Sequence, residues 1–190
     1  MKLKGSQTEK NLIASFAGES QARNRYTYAA GQARKDGFQQ IAWAFEETAD
    51  QEKEHAKRFF SLLEGGEAQV AAMFPAGKTG STAENLKAAA EGEAHEWGVL
   101  YPECAKTARA EGFEAAAKLF EFIAVAEKQH ERRYRGLLAS VEAGEVFKKK
   151  AKVKWRCRNC GYTHEGEAAP AACPACAHPQ GYFEVAAENW

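Results

Sequence analysis

Apolar positions recur along most of this chain at the spacing of one helical face. Between Phe38 and Glu64 they fall at Ile41, Phe45, Ala49, Ala56, Phe59, Phe60 and Leu63, mostly three, four or seven residues apart, which is the period of an amphipathic helix. Four such segments are predicted. The first runs from Ser6 or Thr8 to Lys35, with Thr8 as a cap and Asp36-Gly37 as its break, and the second from Phe38 to about Glu64, closed by Gly65-Gly66. The third begins at Thr82 as a cap, has Asn85 just inside it and continues to Glu111-Gly112; the fourth spans Phe113 to Val141 and ends near Gly144. Short turns join the first helix to the second and the third to the fourth. Residues 65–81, with Pro75, Gly77, Gly80 and Ser81, form one long connection between the two pairs. Pro102 lies inside the third segment. It removes a backbone N–H, so a kink or local bulge is expected there, close to Glu96.

Glutamates interrupt these apolar faces at repeating positions. Glu19 follows Ile13-Ala14-Ser15-Phe16-Ala17-Gly18, and Glu127 follows Phe122-Ile123-Ala124-Val125-Ala126. A carboxylate inside such a run is buried, which is costly unless it is paired or metal-bound. Glu19 is followed 33 residues later by Glu52-x-x-His55, and Glu93 is followed 34 residues later by Glu127-x-x-His130. One Glu-x-x-His pair carries little weight in a chain with 24 Glu and 5 His; the information is in the equal offsets. A helix that supplies one Glu, then a helix that supplies Glu and His at i, i+3, all of it twice, is the ligand set of a ferritin-like di-metal bundle. Two helical hairpins joined by a long crossover are also that fold's connectivity. The alternative, ordinary surface glutamates on amphipathic helices, would have to fill all six template positions by accident.

Neighbouring residues refine the site. Glu52 and His55 share a helix face, as do Glu127 and His130. Glu54 and Glu131 lie about 100° away and are expected to face solvent. Glu96 stands at i+3 from Glu93, where the first half has Ala22, so the repeat is asymmetric; His95 between them is read as a surface residue or one that supports a ligand, not as a ligand itself. Tyr26 and Tyr101 follow the lone glutamates by seven and eight residues. They either pack in the core or orient a carboxylate with their hydroxyls. Oxygen and nitrogen donors of this kind suit iron or manganese, with zinc as a substitute.

Charge narrows the partners. Lys and Arg number 26 and Asp and Glu 26, which argues against a dedicated nucleic-acid or anionic-membrane binder. No run of 18 apolar residues exists and the first residues lack a signal-type stretch, so a cytoplasmic location is expected.

From Val146 the composition changes. Lys148, Lys149, Lys150, Lys152 and Lys154 make a basic connector, read as a solvated linker or else as a docking patch. The expected division is a bundle over 1–145, a linker over 146–152 and a small metal domain over 153–190. Cys157-x-x-Cys160 and Cys173-x-x-Cys176, 12 residues apart, read as a four-thiolate metal site holding zinc or iron. Without its metal so short a unit would not hold together. Cys104 stands alone and is expected to be a small buried apolar residue.

Cys-x-x-Cys-Gly-Tyr with a later Cys-Pro-x-Cys resembles the rubredoxin iron site. A Glu/Glu-x-x-His bundle followed by such a tail resembles the rubrerythrin family over essentially the whole chain, most plainly in Phe16 to Tyr26 and Lys154 to Pro179. The resemblance implies a mainly α protein, a ferritin-like bundle with a rubredoxin-like C-terminal domain. It implies two irons at Glu19, Glu52, His55, Glu93, Glu96, Glu127 and His130, and one iron at Cys157, Cys160, Cys173 and Cys176. It implies reduction of hydrogen peroxide to water in oxidative stress protection, with electrons passing through the cysteine-bound iron from a donor such as a rubredoxin or a reductase. Glu96 and His55 would exchange as ligands between oxidised and reduced states, with Tyr26 and Tyr101 beside the reacting centre. Four carboxylates then balance two ferrous ions, and a fifth better matches two ferric ions. A head-to-tail homodimer is also implied, bringing one chain's cysteines near the other's bundle site; His178 is then either a loop histidine or part of the electron path. Two other classes remain: a ferroxidase that handles iron for storage, and a scaffold with zinc in both sites.

Overall fold

A computed structural model describes residues 2–189. Among the described residues the chain forms five α-helices and three strands. α1 (Gln7–Lys35) and α2 (Gln39–Phe60) make one hairpin. α3 (Thr82–His95), a π turn (Glu96–Leu100) and α4 (Tyr101–Ala110) make one long interrupted helix that pairs with α5 (Glu114–Glu142). β1 (Lys148–Cys157), β2 (Thr163–Ala168) and β3 (Phe183–Val185) form a small antiparallel sheet in the order β2-β1-β3.

The two hairpin turns are one device used twice. At the first, Gly37 takes φ +85°, its N–H donates to Arg34 O, and the Phe38 N–H donates to Ala33 O at 2.8 Å. At the second, Gly112 takes φ +79°, its N–H donates to Arg109 O, and the Phe113 N–H donates to Ala108 O at 2.8 Å. This left-handed helix end needs glycine because a Cβ there meets the backbone. The acidic residue of each turn then ties to the start of the other hairpin. Asp36 accepts from Thr82 N and Thr82 Oγ1 at 3.0 and 2.6 Å, and Glu111 accepts from Thr8 N and Thr8 Oγ1 at 2.8 and 2.6 Å. Carboxylates at helix N-termini are favoured by the exposed N–H groups and the helix dipole, and both are held below the usual carboxylate range, first by those threonine hydroxyls.

Several expected boundaries shift for this reason. Thr8 and Thr82 are not the caps; Ser6 caps α1 by accepting from Glu9 N, and Ser81 caps α3 in a capping box with Glu84. α2 stops at Phe60, before Gly65-Gly66. Asn85 serves the loop, donating to Gly80 O and accepting from Gly80 N. The distortion expected near Pro102 is present as the π turn, in which the Tyr101 N–H donates to Glu96 O. That turn adds one residue to the helix. It explains why the second half has an offset of 34 where the first has 33, and why Tyr101 is eight residues past Glu93 while Tyr26 is seven past Glu19.

Two apolar cores fill the bundle ends. One gathers Tyr26, Ala29, Ala30, Ile41, Phe45, Leu86 and Tyr134; the other Leu12, Phe59, Tyr101, Ala108, Ala117 and Phe120. Cys104 lies buried in the second as expected, its thiol pushed up to about 11 by burial and then by Glu103. The basic connector is not a free linker: residues from Lys148 onward are strand, with Lys148 opposite Ala168. Its lysines nevertheless stay largely exposed, because they lie on the part of β1 that runs beyond β3, which pairs only with Trp155, Arg156 and Cys157. The sheet packs its own core of Trp155, Phe183 and Ala169 with Cys157 and Cys173. It rests on the α1–α2 turn, where Phe147 stacks on Phe38 at 5.9 Å and the Arg158 guanidinium lies 4.6 Å from the Trp43 ring centre. Gly181 meets Gly37 O so closely that a Cβ would overlap it.

Candidate metal centres

Between the two bundle cores the polar side chains converge. Each of α2 and α5 carries an aromatic residue one heptad before and one after its central glutamate: Phe45-Glu52-Phe59 and Phe120-Glu127-Tyr134. These rings close the cavity above and below, so Glu19, Glu52, Glu93 and Glu127 are at most 1% exposed. The candidate donor atoms form two groups that share an edge. Glu19, Glu52, His55 and Glu127 make one, and Glu52, Glu93, Glu127 and His130 the other, each with its donor atoms within 4.8 Å of one another. Glu52 and Glu127 belong to both groups, so they would be shared if each group held an ion. The rings of His55 and His130 lie 5.8 Å apart, one on each side.

The expected tyrosines are present with crossed partners. Tyr26 donates to Glu93 Oε1 at 2.5 Å, and Tyr101 donates to Glu19 Oε1. Each hydroxyl therefore orients the lone glutamate of the opposite half, not that of its own helix. One residue escaped sequence reasoning. Gln51 Oε1 lies 2.9 Å from His130 Nε2; an amide oxygen only accepts, so Nε2 carries the proton. Nδ1 then faces Glu52, Glu93 and Glu127 at 3.1, 3.6 and 2.7 Å, so it is the nitrogen that would give up its proton and ligate a metal. Only the position of Gln51 one residue before Glu52 could have hinted at it.

Glu96 stands outside both donor groups. Glu131, expected in solvent, instead accepts from Trp97 Nε1 and Arg135 Nε, each at 2.6 Å; the π turn swings Trp97 over α5. Glu54 and His95 are exposed as expected.

Protein groups alone leave this cluster unsatisfied. Glu19 Oε2 is buried without a hydrogen-bond partner, and Glu52 Oε1, Glu93 Oε2, both Glu127 oxygens and His130 Nδ1 meet one another or His55 at ion-pair distances without an aligned hydrogen bond. An orphaned buried polar atom costs about 1–3 kcal/mol, so cations are the economical occupant. Protons substitute for them in the metal-free chain. Burial, then Glu52, Glu96 and Glu127, pushes Glu19 well up; burial also lifts Glu93 to about 8. Burial and then Glu93, Glu127 and Glu52 raise Glu96. Burial works against charge on the histidines, yet Glu127 and Glu52 override it and lift His55 to about 10 and His130 to about 12. Burial would raise Glu52 too, but the His130 and His55 nitrogens beside it, at 3.1 and 2.9 Å, hold it at about 2.

The four cysteines also converge. Cys157 Sγ lies 3.8 Å from Cys176 Sγ and Cys160 Sγ 3.6 Å from Cys173 Sγ. A tetrahedron with metal–sulfur bonds of about 2.3 Å has edges of about 3.8 Å, so these spacings fit a metal and not a disulfide. Two matching knuckles build it. Gly161 at φ +79° donates to Cys157 O, and Ala177 at φ +59° donates to Cys173 O. The His178 N–H points at Cys176 and brings that thiol down to about 6; crowding by the other sulfurs takes Cys160 up to about 12 despite the Tyr162 N–H. The His178 ring donates to or accepts no sulfur; its Nδ1 lies 3.1 Å from Cys176 O and its edge meets Tyr182.

Comparison with known proteins agrees with both centres. The rubrerythrin profile matches residues 10–138, and that of the rubrerythrin rubredoxin-like domain matches residues 155–184. The chain belongs to the rubrerythrin family. It is 59% identical to rubrerythrin of Porphyromonas gingivalis across 99% of this chain and 94% of the relative. It is 56% identical to rubrerythrin of Nitratidesulfovibrio vulgaris across 99% of this chain and 98% of that one. A solved nigerythrin in its fully reduced, all-ferrous state superposes with a TM-score of 0.64 at 32% identity, covering 97% of this chain and 91% of that one. A bacterioferritin of Mycobacterium tuberculosis, at 19% identity and a TM-score of 0.64 over 75% of this chain and 90% of that one, shows the shared bundle fold alone. Candidate sites for a carboxylate-histidine di-iron centre and a four-cysteine iron are thus both present in a rubrerythrin-family chain. Among the described residues no helix is long and apolar enough to cross a membrane.

Proposed function

We propose that this chain is a non-haem di-iron peroxidase that reduces hydrogen peroxide to water in defence against oxidative stress, fed with electrons through its cysteine-bound iron. The observation that carries the reading is the asymmetry of the bundle cluster: His55 stands inside a donor group, while Glu96 stands just outside. Glu19, Glu52, Glu127 and His55 would hold one iron and Glu52, Glu93, Glu127 and His130 the other, with Glu96 exchanging for His55 when the site is oxidised. Four carboxylates match two ferrous ions in charge, and recruitment of Glu96 adds the fifth for two ferric ions. Bound as a ferrous pair, the metals would supply the two electrons that convert hydrogen peroxide, with two protons, to two waters. Tyr26 and Tyr101 hold Glu93 and Glu19 in orientation, and Gln51 keeps His130 in its ligating tautomer. The aromatic residues above and below exclude water.

The reading includes a head-to-tail homodimer. Within one chain the cysteine domain rests near Trp43, which is 12 residues from His55 on α2, about 18 Å along the helix. A partner chain's cysteine site can approach the His55 face instead, where Trp43, Glu47, Asp50, Gln51 and His55 line an open cleft. A reductase or a separate rubredoxin would reload the cysteine-bound iron. The test is to reduce the iron-loaded protein without oxygen, add hydrogen peroxide and follow the red ferric-thiolate absorption. Return of the colour within seconds supports the peroxidase; protein that stays bleached defeats it in favour of iron handling, and colourless protein means zinc at the cysteines.

A further inference from the structure

We propose that the groove between the bundle and the β3 edge of the sheet is the docking surface for the electron donor, a small one-electron carrier protein with an acidic face. This rests on the role proposed above for the cysteine-bound iron as the point of electron entry. The groove has a volume of about 480 Å³. Ile41, Leu137, Val146 and Val185 give it an apolar lining, and Arg132 from α5 and Lys149 from β1 bring positive charge to it. An apolar middle with a polar, solvated rim is how a protein–protein contact is built.

Among the described residues Lys150 pairs with Glu145 at 4.0 Å, Lys154 with Glu188 at 2.6 Å and Arg133 with Glu47 at 2.6 Å, whereas Lys148, Lys149, Lys152 and Arg132 have no carboxylate at ion-pair distance. The pairing of β1 with β2 slips between Lys148, opposite Ala168, and Val153, opposite Gly166. That bulge sets Lys149, Lys150 and Lys152 against the single residue Glu167, so cations outnumber the anion beside them. In a chain of zero net charge, such a local excess steers an anionic partner to one place. Lysines on an open strand edge also block unwanted strand pairing, but Arg132 stands on α5 and guards no edge.

The groove leads to the cysteines. Val185 is the cross-strand partner of Trp155, and Trp155 is fully buried in one cluster with Cys157 and Cys173. From Val185 to Cys157 is about 8 Å between Cα atoms, one strand spacing across and two residues along. A carrier seated in the groove is thus separated from two of the four thiolates by one buried indole. In the dimer proposed above the cysteine site faces the partner's bundle, so a donor needs an approach from another edge, and the groove provides it.

The test mixes full-length, iron-loaded protein, without oxygen, with an acidic flavodoxin in its hydroquinone form and follows loss of the red ferric-thiolate absorption. Each transfer moves one electron: the anionic flavin hydroquinone becomes the neutral semiquinone, and the ferric ion becomes ferrous. Arg132→Glu/Lys149→Glu is expected to slow this reduction by about tenfold or more at low ionic strength, the size of an electrostatic steering effect. The difference should vanish near ~1 M salt, where charges are screened beyond about 3 Å. Lys87→Glu/Lys118→Glu, a reversal of two exposed lysines elsewhere on the bundle, should hardly change the rate. Dithionite, which needs no docking surface, should reduce all three proteins alike and so report an intact iron site. Equal slowing in both variants, or no slowing in the groove variant, overturns the proposal. So does a groove variant that sediments as a monomer where the unaltered protein is a dimer, since the groove is then a contact between copies. Unaltered protein that dithionite reduces and flavodoxin does not also overturns it. Reduction is read before any peroxide is added. Iron that bleaches with flavodoxin and is not recoloured by peroxide therefore defeats the peroxidase reading separately from the docking result.

Discussion

The carboxylate cluster lies between two apolar cores that pack around it, whereas the four cysteines are themselves part of the core of the unit they occupy. In the bundle, Phe45, Tyr26 and Tyr134 close one side and Phe59, Tyr101 and Phe120 the other. The hairpin turns and the crossed Asp36–Thr82 and Glu111–Thr8 contacts fix the helices independently of any ion. In the sheet unit, Cys157 and Cys173 pack directly with Trp155, Ala169 and Phe183, and only half-buried residues such as Phe147, Val153, Tyr162 and Tyr182 surround them. The difference teaches where folding free energy and function are separable. A site set into a finished scaffold can tolerate charge, strain and ligand exchange; a site that is the scaffold cannot.

The largest expected effect tests that contrast directly. Cys173→Ser should abolish metal binding at the cysteines and unfold the sheet, since the metal supplies on the order of 10 kcal/mol to so small a unit. Far-ultraviolet dichroism should show the helices intact while the environment of Trp155 is lost. A sheet that survives in this variant breaks the comparison.

A smaller effect is expected in the bundle. Burial and the other carboxylates push Glu19 toward its neutral form in the metal-free chain, so Glu19→Gln should leave the metal-free Tm unchanged or slightly higher. Metal affinity should fall by about a hundredfold or more, since one donor oxygen is removed. Equilibrium dialysis and thermal unfolding of the same preparation measure both. A metal-free variant that unfolds at much lower temperature would show that the carboxylates are structural after all.

The smallest effect is the pH profile of the metal-free bundle. His55 and His130, raised to about 10 and 12, contribute stability that is complete below their unfolded value of about 6.5 and is lost as pH rises toward those folded values. Glu93, raised to about 8, acts in the same direction from about pH 4.5 upward. Glu52, held at about 2, contributes stability above about pH 4.5 that disappears only as pH falls through 2. Metal-free Tm should therefore decline from pH 6.5 toward 10, and metal-loaded Tm should change less. Equal slopes would mean that protons are not standing in for the ions.

Much of this architecture was legible in the residues. The helical period, the glycine breaks at Gly37 and Gly112 and the repeated Glu and Glu-x-x-His define the hairpins and most of the cluster, because periodicity and backbone chirality are local properties. Caps were misread at Thr8 and Thr82, since each threonine serves a carboxylate from a distant turn and not its own helix end. Glu131 was misread because the π turn, a local insertion with no unique sequence mark, moves Trp97 onto it. Gln51 was invisible, as its partner His130 is 79 residues away.

The candidate donors, the twofold repeat and the cysteine knuckles follow from residue type and spacing, which act over one or two helical turns or a single tight loop. Pairing across the bundle was decided only when the two hairpins packed. Tyr26 could as well have served Glu19 on its own helix, and Glu96 could as well have stood inside the cluster. Burial closed those choices: in a cavity sealed by aromatic rings, each hydroxyl and lone pair takes the partner that the antiparallel register of the opposite helix brings within reach.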